Sequence, residues 1–139
     1  MPTAAQLVWS GQHIVPAYEA EKAFWLPFNI PASTTIAKGT VVGEVTATPG
    51  TVKAYASGNS DGSQVPIGIM AYDVISDASG NIYIGGQAGS EYGETSKACP
   101  VFVGGLFFTQ DLTGLDANAV SKLGRLIHGS VTTGCVSLI

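Results

Sequence analysis

After Ile36 the chain never runs far without a signal to reverse. "TPG" at 48–50, "SGNSDGS" at 57–63 and "SDASGN" at 76–81 supply the glycine, proline, asparagine and aspartate that tight turns need. Between and around them lie short apolar runs: "TVVGEV", "TVKAY", "VPIGIMAYDV", "IYIGG" and "CPVFVGGLFF". Short apolar runs bounded by turn residues read as strands. From Ile36 onward the pattern is that of a β fold. In "VPIGIMAYDV" the period of two puts Ile67, Ile69, Ala71 and Asp73 on one face and Gly68, Met70 and Tyr72 on the other. Pro66 falls near the start of that strand, where a missing N–H is tolerated. The Gly104-Gly105 pair predicts a bulge or a close backbone approach.

The period changes once. "LTGLDANAVSKLG" predicts a short helix over about 116–123, with Asp116 as its N-cap and Gly124 as its end. Leu115 and Val120 have the spacing of a hydrophobic staple across that cap. "RLIHG" and "CVSLI" then predict two last strands. The expected fold is mostly β: a small single-domain β-barrel or β-sandwich-like unit with one short helix and an extended N-terminal arm. Its 139 residues suit one domain.

The first 31 residues are of another kind. They hold both tryptophans, Trp9 and Trp25, and four of the seven prolines. In "AFWLPFNIP", Pro27 and Pro31 interrupt any long strand or helix. An extended stretch of aromatics and prolines is suited to docking across a surface. Residues 1–22 are expected to form a docking arm and residues 23–139 a β-rich domain, with 23–31 joining its core. Trp9, His13, Ile14 and Tyr18 are the candidate contact residues of the arm.

Charge is scarce. Asp, Glu, Lys and Arg make up 12% of the chain, against about 25% in ordinary globular proteins. A solitary soluble domain usually covers itself with charge, so much of this surface is expected to face other protein. The formal net charge is −4. The six basic residues, Lys22, Lys38, Lys53, Lys97, Lys122 and Arg125, are dispersed, which argues against direct nucleic-acid binding. No apolar run reaches the roughly 18 residues of a membrane span. The first residues lack the charged and apolar regions of a secretory signal, so synthesis and retention in a cytosol are expected. In that setting Cys99 and Cys135 are expected as two buried thiols rather than a disulfide.

Chemistry is hard to find. His13 and His128 have no cysteine, histidine or carboxylate at close ligand spacing, so no metal site is expected. "GGQAG" at 85–89 lacks the helix that a dinucleotide fingerprint requires. "DLTGLDAN" lacks the closing glutamate of a calcium loop. Asp73, Asp77, Glu91 and Glu94 read as solvated loop residues. "AKGTVVGEV" is similar to a stretch of the biotinyl and lipoyl carriers, but Lys53 sits inside a strand and not at a hairpin tip. No catalytic residue, cofactor or small-molecule substrate is expected.

Taken in order, "KGTVVGEV", "TVKAYASGNSDGSQVPIGIMAYDV" and "CPVFVGGLFFTQDLTGLDANAVSKLG" resemble the head decoration proteins of tailed phages, the lambda D-type family. The shared pattern is a Lys-Gly lead-in, an Asp-Gly-Ser loop, a Gly-Ile strand ending in Asp (Gly68, Ile69, Asp73), a late strand and a short helix. It covers roughly residues 36–139. The resemblance implies a non-enzymatic homotrimer, made in the host cytoplasm, on the outer surface of the virion capsid. Such trimers sit at local three-fold sites of the expanded head. They bind the major capsid protein and hold the shell against packaged DNA, with no contact to nucleic acid or membrane. It also implies an N-terminal arm that orders on binding, which falls here on residues 1–22. The competing expectation is a virion-surface or fibre module that binds host glycans. It shares the β fold and would place aromatics on one concave face.

Overall fold

The computed structural model describes residues 24–85, 95–96 and 98–138. These contain eleven strands: β1 (Phe24–Phe28), β2 (Thr35–Ile36), β3 (Val41–Glu44), β4 (Val52–Ala54), β5 (Pro66–Met70), β6 (Val74–Ser76), β7 (Ile82–Ile84), β8 (Thr95–Ser96), β9 (Cys99–Phe108), β10 (Gly124–Gly129) and β11 (Gly134–Leu138). A 3-10 turn, Thr109–Asp111, and one helix, α1 (Ala117–Leu123), lie between β9 and β10.

The larger sheet runs β10-β11-β9-β5-β3-β4, with β1 also paired to β9. The smaller runs β2-β6-β7-β8. Strand pairs are antiparallel throughout. Of the two β architectures the sequence suggests, the closed barrel is not adopted: the sheets stay open.

Neighbouring residues explain the layering. Val41, Ile69 and Phe102 belong to one apolar cluster, while the adjacent Val42, Met70 and Val101 belong to a second. Successive side chains point to opposite faces of a strand, so the centre of the larger sheet is buried on both sides. The first cluster is closed by α1 through Ala119, Val120 and Leu123 against Val41, Ile69, Phe107 and Val136. The second is closed by the smaller sheet through Ile36, Val74 and Ile82 against Val42, Met70 and Val101. Each fully buried aliphatic side chain here contributes about 1.5–3 kcal/mol.

The helix forms as its sequence predicts. The Asp116 carboxylate accepts the Ala119 N–H at 2.7 Å, satisfying a donor that has no intrahelical partner. Leu115 and Val120 pack in the same cluster, and Gly124 follows as C-cap, its N–H donating to the Val120 carbonyl. A long-range tie reinforces the cap. The Tyr55 hydroxyl, nearly buried, donates to Asp116 at 2.9 Å and accepts from the Asn118 amide at 2.8 Å. Burial, first, and the Asp116 charge push the Tyr55 hydroxyl above its usual pKa, while Asn118 opposes them.

One face assignment changes. Ile67 does not share the side of Ile69 and Ala71; it packs with the second cluster, beside Met70 and Val101. The register across β3 and β5 jumps from Val42↔Gly68 to Gly43↔Pro66, leaving Ile67 as an extra residue. A bulge resets the alternation. The glycine pair of β9 also marks an irregularity: the β1–β9 register shifts between Phe24↔Gly104 and Trp25↔Phe102. Cys99 and Cys135 are both free thiols on strands, but Cys135 is only half-buried.

Candidate interaction surface

Three joints place the loops. At the first, the Lys38 N–H donates to the Asp73 carboxylate at 2.8 Å and the Gly39 N–H to the Met70 carbonyl at 2.9 Å. The turn before β3 is thereby fastened to the far end of β5. At the second, the Asp61 carboxylate accepts the Ser63 hydroxyl at 2.6 Å, the Ser63 N–H at 3.1 Å and the Lys53 ammonium at 2.9 Å. The Ser63 hydroxyl leads, with Lys53 behind it, in holding the Asp61 carboxyl well below the usual carboxylate range. Gly62, between them, has φ +108, a conformation closed to most side chains. Lys53 is thus on a strand and ion-paired to Asp61. At the third, a Cβ on Gly68 would meet the Phe102 carbonyl, so β5 and β9 approach there as only glycine permits.

Asp77 does similar work. Its carboxylate accepts the Ser79 N–H at 3.0 Å and the Asn81 N–H at 2.9 Å, with the Tyr83 hydroxyl at 3.3 Å. The bond from the Asn81 backbone leads in lowering its pKa. Asp73 and Asp77, expected as plain solvated loop residues, are turn-setting acceptors; Glu91 and Glu94 lie outside the described residues. His128 is exposed on β10 opposite Cys135. Among the described residues no three His, Cys, Asp or Glu side chains gather as a metal site, and no helix is long and apolar enough to cross a membrane.

What the described surface does offer is apolar. Phe24, Trp25 and Leu26 are 67%, 59% and 50% exposed, and Tyr72 is 54% exposed. They cluster around β1, which among the described residues pairs with β9 alone. Pro27, which has no N–H to give a neighbour, suits such an edge. Inward, the strand is fixed: Phe28 packs on the second cluster, its carbonyl accepts the Cys99 thiol at 3.3 Å, and Ile30 beyond it is buried. Burial pushes the Cys99 thiol up to about 11. Trp25, Pro27, Tyr72, Ile84, Pro100 and Phe102 are among the residues that line a groove of about 450 Å³.

The arm residues Trp9, His13, Ile14 and Tyr18 lie outside the described residues. Tyr72 is not foreseen by strand alternation, which groups it with the fully buried Met70; β5 ends at Met70, and Tyr72 emerges past that end. The following Asp73 is the available signal that the chain is leaving the core.

No curated protein and no solved structure matches this chain. Residues 26–84 match the family model of bacteriophage lambda head decoration protein D. That span runs from within β1 through β7 and contains the joints made by Asp61, Asp73 and Asp77, but not Phe102, the β9 side of the Gly68 joint. It starts ten residues before the stretch that carried the sequence resemblance and leaves out the late strand and α1. The match supports the lambda D-type family and indicates a bacteriophage head decoration protein.

Proposed function

We propose that this protein is a capsid cement protein. It binds the outside of the expanded head as a homotrimer at local three-fold sites, contacts the major capsid protein, and stabilises the shell against the pressure of packaged DNA. The family match carries this reading. The surface agrees with it in kind: it is poor in charge and keeps large apolar side chains exposed at one sheet edge, as a face destined for protein contact does. Residues 1–22, with Trp9, His13, Ile14 and Tyr18, act as the capsid-binding arm. Three arms on one trimer bind as a unit, because the first contact raises the effective concentration of the others. A ligand that binds only the assembled lattice stabilises it by linkage, so no catalytic step is required.

One observation favours a second reading. Trp25 and Tyr72 flank the same groove, an arrangement that suits stacking of a glycan ring in a virion-surface module. Co-sedimentation separates the two. The cement reading expects saturable binding to expanded heads and none to unexpanded ones. Absence of binding to both, with retention on a glycan column, overturns it in favour of the second.

A further inference from the structure

The chain holds one Asp-Gly step, Asp61–Gly62, and no Asn-Gly step. Such a step carries a reaction of its own. With no side chain on the glycine to hinder it, the glycine nitrogen can attack the side-chain carbon of the aspartate. A C–N bond forms, the amide proton and the carboxyl OH leave as water, and a five-membered succinimide results. Water then opens either carbonyl of the ring. One opening restores aspartate. The other leaves isoaspartate, whose main chain runs through the side-chain carbon and is one methylene longer. The two waters cancel, and no oxidant or catalyst enters.

The fold engages both reacting groups. The Gly62 N–H, on the attacking nitrogen, donates to the Gln64 side-chain oxygen at 2.8 Å. One Asp61 carboxylate oxygen accepts the Ser63 hydroxyl and N–H, and the other accepts the Lys53 ammonium. These bonds favour the ionised carboxylate, whereas ring closure proceeds from the protonated acid, which can lose its OH as water. The loop also has no room for the product. The Thr46 N–H donates to the Asp61 carbonyl at 2.9 Å, and Ser63 is wholly buried. A Cβ on Gly62 would already collide with Thr46 and the Glu44 carbonyl. A main chain one methylene longer here cannot keep these contacts.

We propose that Asp61–Gly62 is a latent isomerisation site, held closed in the folded protein by the Gln64 bond to its nitrogen and the ties on its carboxylate, and that a chain isomerised while unfolded does not regain the native loop. The step then works as a one-way filter. Folded copies keep their aspartate, while copies that linger unfolded are altered at the loop that fastens β4 to β5 and are lost to the native pool. This inference stands independently of the capsid reading above.

The test uses the full-length chain, kept for days at neutral pH and physiological temperature, either folded or unfolded in guanidinium chloride. Isoaspartate at residue 61 is measured by mass spectrometry, with electron-transfer fragmentation of the peptide that contains it. The unfolded chain should accumulate it at least about tenfold faster, since the folded chain reacts only through local opening. Gln64→Ala, at a half-buried position, should raise the folded-state rate about threefold to tenfold, the effect of one lost hydrogen bond on that opening. Tyr55→Phe, which weakens the fold away from the loop, should leave the rate unchanged. Equal rates in folded and unfolded protein would overturn the closure. So would a Gln64→Ala protein that reacts at the wild-type rate, or a Tyr55→Phe protein that reacts as fast as Gln64→Ala. After partial isomerisation in denaturant, dilution should return native protein depleted severalfold in isoaspartate relative to the whole sample. Native protein that carries it in full proportion would overturn the filter.

Discussion

β1 and β5 are both five-residue strands rich in apolar side chains, "FWLPF" and "PIGIM", and both pair with β9. Their fates are opposite. In β5, Ile69 and Met70 are wholly buried, one on each face of the sheet; in β1, Phe24, Trp25 and Leu26 are at least half exposed. Apolarity is therefore not what decides burial here. Position is: β5 lies between β3 and β9 with layers on both faces, whereas β1 hangs on one neighbour. The side chains of β5 stabilise this domain. Of β1, only Phe28 packs on the core; Phe24, Trp25 and Leu26 contribute little to it and remain available to another surface.

Substitutions should separate the two strands most widely at Ile69. Ile69→Ala is expected to cost about 2–5 kcal/mol through lost burial and a residual cavity, read from urea unfolding, while Trp25→Ser costs less than about 1 kcal/mol. Equal losses would erase the distinction between a sealed and an open strand. Tyr55→Phe removes a buried hydroxyl that joins the end of β4 to the cap of α1, and should cost about 1–2 kcal/mol in the same assay.

The acid limb of stability offers a smaller effect. Because the folded-state pKa of Asp61 lies below its unfolded value, the stability it confers is present above about pH 4 and is lost as pH falls below that. Asp61→Asn should flatten this limb without altering the binding of heads. Smallest in energy but sharpest in contrast is thiol chemistry. With its pKa pushed up to about 11 and its side chain buried, Cys99 should resist alkylation at pH 8 until urea unfolds the chain. Rapid labelling of Cys99 in the folded protein would mean that the β1–β9 pairing opens readily, and would move β9 toward the behaviour of an edge.

Much of the fold is legible in the sequence because it is locally encoded. The turns around Gly50, Gly62 and Gly80 announce themselves by composition, and α1 by Asp116, Leu115 and Gly124, within reach of one another along the chain. What escapes is non-local. The bulge at Ile67 depends on how β3 lies against β5, and no periodicity within β5 reveals it. The pairing of β1 with β9 joins residues more than seventy apart. Of the candidate surface, the sequence marks the aromatic N-terminal region as unusual. It does not reveal that Trp25 and Tyr72 line one groove, since they are brought to it through β9, with which both β1 and β5 pair.

The β1–β9 ladder also has a mechanical meaning. If the segment before Phe24 is held by a shell that swells or shakes, the pull enters the domain at the first residue of β1. Along the strand axis, such a pull loads the ladder bonds between Phe24–Phe28 and β9 together, and Ile30, sunk in the core, acts as a stop behind them. Across the axis, the bonds open singly, beginning at Phe24 and moving inward. The same short strand is thus a strong tether in one direction and a peelable one in the other.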